Sequence, residues 1–183
     1  MDNMTNTVTD NCKIPYGELF FYLFFGLMFG MRMWGIYESK PLYAPLLLIG
    51  MVFWLISIVL TEHSLFEYIV IIALMGISGC IYLHTGEKGL ILYFALMTGM
   101  KSIDPKRVFR VGVLIGTAGI TCLSFLTAFG FAEDVAFIQF RPMVGYVFRR
   151  SLGFPHPNTL SSSFTILVMM VMYIIGMNDK RKS

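Results

Sequence analysis

Three arginines, Arg141, Arg149 and Arg150, fall within ten residues with no acidic residue between them. Gly153, Pro155, His156, Pro157 and Asn158 follow, and then a new apolar run begins. Guanidinium forks match phosphate oxygens two at a time. Pro157 suits a first helical position, because its φ is already helical and its missing N–H is not needed there. The helix it would open carries about half a positive charge at its N-terminus, where free N–H groups receive anions. Asn158, Thr159 and Ser161 stand in the first turn and can help satisfy those groups, while Gly153 lets backbone approach a ligand closely. The stretch 141–163 therefore predicts a polar mouth at the end of a membrane helix. Its shape suits a phosphate or pyrophosphate, and Arg149 and Arg150 would act as a converging pair.

His156 adds a group that exchanges a proton near neutral pH. Beside a phosphate it could deprotonate an attacking hydroxyl or stabilise a leaving group. A histidine in a proline-rich turn also serves as a cap, and arginines beside a membrane helix also anchor to lipid phosphates. No other constellation competes. His63 and His84 sit in separate polar turns, and Glu62 and Glu67 beside His63 make no convincing metal trio. Ser161, Ser162 and Ser163 lack the strand-to-helix elbow of a serine nucleophile. Cys12, Cys80 and Cys122 are odd in number and match no zinc spacing, so neither a disulfide nor a metal site is expected.

The elements that must position the mouth follow from composition. Of 183 residues, 56% are hydrophobic and only 14% charged, with mean hydropathy +0.71. Soluble domains run at about 45–50% apolar and about 25% charged, so lipid must solvate much of this chain. The expected fold is an all-α integral membrane protein of about six transmembrane helices, over residues 16–33, 43–60, 65–83, 89–100, 108–129 and 157–177. The fourth run reaches only about 18 Å against a hydrocarbon core of about 30 Å. It crosses if Lys88 and Lys101 snorkel; a re-entrant piece is the alternative. Gly112, Gly116 and Gly119 in the fifth run predict a flat face for close helix packing. Residues 130–150 read as a mixed, partly apolar connector that dips into the interface, and Arg32 with Trp34 as an interfacial anchor.

Residues 1–15 read as a flexible tail, 16–177 as the polytopic membrane domain and 178–183 as a basic cytoplasmic tail. The polar start predicts no cleavable leader. Seven of the 14 lysines and arginines lie in 101–110 and 180–182. By the positive-inside rule both stretches are cytoplasmic and the arginine mouth lies outside. No basic face interleaves with aromatics in the manner of a nucleic-acid surface, so none is expected as partner.

The string SLGF-x-HPN at 151–158, preceded by arginine and followed by a membrane helix, resembles the motif of bacterial polysaccharide repeat-unit polymerases, the O-antigen and capsule polymerases. The basic turn KSIDPKRVFR at 101–110 and the glycine-bearing helix after it are similar to that family too. The resemblance implies a multi-pass glycosyltransferase of the bacterial cytoplasmic membrane, working on its outer face. It would move a growing glycan from undecaprenyl pyrophosphate onto an incoming lipid-linked repeat unit, without cofactor or obligatory metal. Arg149 and Arg150 would hold pyrophosphate, Arg141 would assist, and His156 with Asn158 would shape the acceptor or act on it. Family members carry further helices and a later extracellular loop, which implies an N-terminal half that is inactive alone, or one completed by a second membrane chain. The alternative is a non-catalytic membrane protein that binds anionic lipid or a membrane partner. A transporter is disfavoured, because no charged residue lies in mid-span.

Overall fold

The computed structural model describes residues 15–179. The tail expected over residues 1–15, Cys12 included, lies outside the described residues except for Pro15, as does the basic stretch 180–183. The element order is α1 (Tyr16–Met33), α2 (Tyr43–Leu60), α3 (Leu65–Thr85), α4 (Gly89–Gly99), α5 (Pro105–Ala128), β1 (Ala136–Arg141), β2 (Gly145–Arg150) and α6 (Pro157–Asp179). The chain is an all-α membrane protein with one small hairpin. Among the described residues, four helices, α2, α3, α5 and α6, are long and apolar enough to cross a bilayer.

Local chemistry explains most helix ends. Ser64 opens α3 with a capping box, its hydroxyl accepting from the Glu67 N–H while the Glu67 carboxylate accepts from the Ser64 N–H. Gly86, at φ 74°, closes the same helix. Asp104 caps α5 by accepting from the Lys106 N–H, and Pro105 fills the first position. Helix α5 therefore begins at Pro105, earlier than the apolar run alone indicates.

Helix α1 forms the centre. Phe21, Phe24, Phe25, Met28, Met31 and Met33 are all buried along it, and α2 and α5 pack on its two sides. Helix α6 packs on α5 beside α1, and Met170 reaches the same core, while α4 lies against α2 and α3. The glycines of α5 make the close packing possible. A Cβ on Gly112 would come within 2.8 Å of the Met170 sulfur on α6, and one on Gly119 within 2.9 Å of the Met33 backbone on α1. The flat face expected of this helix thus receives both α1 and α6.

Helix α4, only 11 residues long, joins the two ends of the bundle rather than turning back. At one end Lys88 pairs with Glu38 at 3.2 Å and stands over the Tyr43 ring. At the other, Lys101 donates to the Glu62 carbonyl at 2.8 Å and to the Glu67 carboxylate at 2.6 Å. The two flanking lysines are thus engaged at opposite ends of the bundle.

Residues 136–150 depart from the expected connector. They form an antiparallel hairpin in which Ala136 faces Arg150, Phe137 faces Arg149, and Arg141 faces Gly145. Pro142, Met143 and Val144 make the loop, and Gly145 at φ 79° supplies the left-handed residue that closes a three-residue turn.

Candidate functional site

The mouth is built from the hairpin, the loop 151–156 and the tip of α6. Consecutive strand residues point to opposite faces, and this separates the two arginines expected to act together. Arg149 turns toward α6, where its Nη1 donates to Asn158 Oδ1 at 3.0 Å. Arg150 turns the other way, and its Nε donates to Asp134 Oδ2. The second oxygen of Asp134 accepts from the Leu152 N–H at 3.0 Å. Burial alone would raise the Asp134 carboxyl, but the Arg150 guanidinium and the Leu152 amide outweigh it and hold it below the usual carboxylate range. The converging guanidinium pair therefore does not exist: Arg150 is committed to Asp134, at the hairpin base.

The backbone position of Arg141 is set apart from the helix tip. It lies at the turn end of β1, four residues beyond the Phe137–Arg149 pair, or about 13 Å of extended chain.

The glycine expected to admit a ligand has a different duty. Gly153 sits at φ 84°, and an added Cβ would come within 2.7 Å of Thr127 Oγ1 and 2.8 Å of Leu123 Cγ. Its backbone approaches α5, not an open site. The surrounding residues of the string are structural in the same way. Ser151 is fully buried, its hydroxyl accepting from the Val135 N–H at 3.0 Å while its own N–H donates to the Val135 carbonyl. Leu152 takes a positive φ of 47°, and Phe154 is 1% exposed. The loop clamps the hairpin base to the end of α5.

His156 is the N-cap of α6. Its Nδ1 accepts from the Asn158 N–H at 3.1 Å, and its carbonyl accepts from the Thr159 and Leu160 amides. The Phe137 ring lies 4.5 Å away, centroid to centroid, and holds the imidazole in place. With Nδ1 acting as acceptor, a neutral ring carries its proton on Nε2. In this arrangement His156 offers a donor to an anion; as a general base it would first have to leave the cap.

Arg149, His156 and Asn158 nevertheless share one concavity of about 310 Å³, lined also by Phe137, Ile138, Gln139 and Pro157. It combines one guanidinium, an imidazole N–H and the positive end of a helix of 23 residues. Such a set receives a phosphate oxygen without a metal. Gln139, Asp134 and Arg32 were missed by the sequence reading as parts of this end of the molecule. Arg32, expected to be a lipid anchor, donates from Nη2 to Ser162 Oγ at 2.9 Å and ties α1 to the second turn of α6. Only Asp134 left a signal, as an acid seven residues before Arg141 and 16 before Arg150.

A second concavity, of about 290 Å³, lies at the opposite end between His63, Phe66, Glu67, Val70, Met97 and Lys101. Its charges are already engaged with one another. Among the described residues, no group of three or more His, Cys, Asp or Glu is placed to hold a metal ion. No protein-family model, curated protein or solved structure matches this chain.

Proposed function

We propose that this membrane protein binds a phosphate-bearing lipid head group in the concavity between β2 and the tip of α6. The observation that carries this reading is Arg149, drawn to the N-terminus of α6 by Asn158 and lining a concavity with His156. A lone guanidinium and a helix N-terminus suit one phosphate. Binding is favoured over catalysis because Arg150 is paired away and the His156 Nδ1 is occupied as a cap.

The test uses the purified chain with undecaprenyl pyrophosphate and, separately, phosphatidylglycerol, with retention read by native mass spectrometry. Arg149→Ala should weaken retention by about tenfold or more, the loss of one charge-assisted hydrogen bond. Arg150→Ala should leave it within about twofold, because that side chain serves the hairpin base. Unchanged retention in Arg149→Ala, or equal losses in the two variants, would overturn the reading.

Glycan polymerisation is the second reading, and the string at 151–158 favours it. In that case Arg149 would hold one phosphate of the polyprenyl pyrophosphate and His156 would leave its cap during transfer. Cells dependent on this chain for polymer would then make short glycans with either Arg149→Ala or His156→Ala. Full-length polymer in both variants removes this reading and leaves the binding one untouched.

A further inference from the structure

The face of the hairpin turned away from α6 is large, apolar and uncovered. Ile138, Phe140, Tyr146 and Phe148 project from it, each more than half exposed, with Phe140 and Tyr146 in edge-to-face contact at 5.3 Å between ring centroids. The loop adds Met143, which is 99% exposed, and Val144. An isolated two-stranded ribbon is marginal in water, and it needs cover on an apolar face to be stable. Among the described residues nothing covers this one.

We propose that this face lies in the head-group layer of the lipid bilayer, with its aromatic side chains at the upper acyl boundary. Three observations select lipid as the occupant. First, the ribbon cannot leave the membrane surface. Its base is closed by Ser151 on Val135, Gly153 just beyond lies against Leu123 and Thr127 at the end of α5, and its second strand leads within six residues into α6. Both helices are long and apolar enough to cross the bilayer. Second, the exit of α5, which leads into the ribbon, carries two more strongly exposed aromatics, Phe129 and Phe131. Third, the pattern along the face suits an interface. It is charged at the base, where Arg150 pairs with Asp134, then aromatic with one phenol, then aliphatic at the tip.

The depth also follows. The sheet has only two strands, so each keeps an open edge of N–H and C=O groups. Hydrocarbon cannot satisfy those edges, so the ribbon cannot sink into the bilayer core. Head groups and interfacial water can, while the aromatic rings reach just below them. This arrangement would hold whether or not a head group occupies the concavity at Arg149.

Depth can be measured in nanodiscs of phosphatidylcholine and phosphatidylglycerol whose acyl chains carry bromine either near the glycerol or near the methyl end. Tyr146→Trp, compared with the unsubstituted chain to subtract Trp34 and Trp54, should add blue-shifted emission. Bromine near the glycerol should quench most of that added emission, and bromine near the chain end should quench little. A spin label at Phe148→Cys, with Cys12, Cys80 and Cys122 changed to serine, should collide with dissolved oxygen more than with a water-soluble nickel complex. Water-like emission with no quenching, stronger quenching from the chain end, or free access of nickel to the label would each overturn the proposal. So would efficient disulfide dimers of the Phe148→Cys chain in dilute nanodiscs, since a second copy would then cover the face.

Discussion

Helices α3 and α5 are similar in composition and opposite in circumstance. Both are apolar, both exceed 20 residues and both carry glycines. In α5 the glycines at 112, 116 and 119 are filled by side chains and backbone from α1 and α6. In α3, Gly76 and Gly79 meet nothing within 4 Å, and only Ile71 and Ser78 are buried. The glycine face of α5 therefore receives α1 and α6 together, and its lack of side chains sets how closely they approach. Helix α3 leans on α4 and is held at its N-terminal end by the capping box at Ser64 and the Glu67–Lys101 pair. The same residue type signals a tertiary contact in one place and none in the other.

Breaking the α5 side should have the largest effect. Gly119→Leu must push Met33 and Trp34 aside, and backbone cannot yield as a flexible side chain does, so a loss of about 1–3 kcal/mol or more is expected. Unfolding in mixed detergent micelles measures it. Gly76→Leu, made on α3, should change the same midpoint little. A large loss at position 76 would mean that α3 has a neighbour not seen in the isolated chain. A smaller loss is expected where the loop rests on α5. Gly153→Ala combines a left-handed φ with contact on Leu123 and Thr127, and should cost about 1–2 kcal/mol. It should also raise hydrogen exchange at the Ser151 and Leu152 amides, which close the hairpin base. Smallest is Ser64→Ala, which removes one cap hydrogen bond from α3 at a cost of about 1 kcal/mol. Its effect should stay local, read as faster exchange in the first turn of α3 with the α1–α5 packing undisturbed.

The helices were legible because their signals are local. An apolar run of the right length, Ser64 three residues before Glu67, Asp104 before Pro105 and Pro157 after His156 each act within one turn of chain. The hairpin was not legible. Residues 136–141 read Ala-Phe-Ile-Gln-Phe-Arg, which alternates poorly, and a strand is stabilised by its partner rather than by itself. Missing the hairpin led directly to the error at the site. Two adjacent arginines form a pair on a loop, but on a strand they must part.

Sequence alone determined that the chain belongs in lipid, where its six helices run, and that His156, Pro157 and Asn158 open the last of them, because burial demand and capping depend on composition and near neighbours. Tertiary structure decided what each polar group faces. It assigned Arg150 to Asp134, Arg149 to Asn158, Gly153 to α5 and Arg32 to Ser162, through contacts that depend on strand register and helix packing. The spacing of residues along the chain does not contain those distances, because they arise only when separate segments are brought side by side.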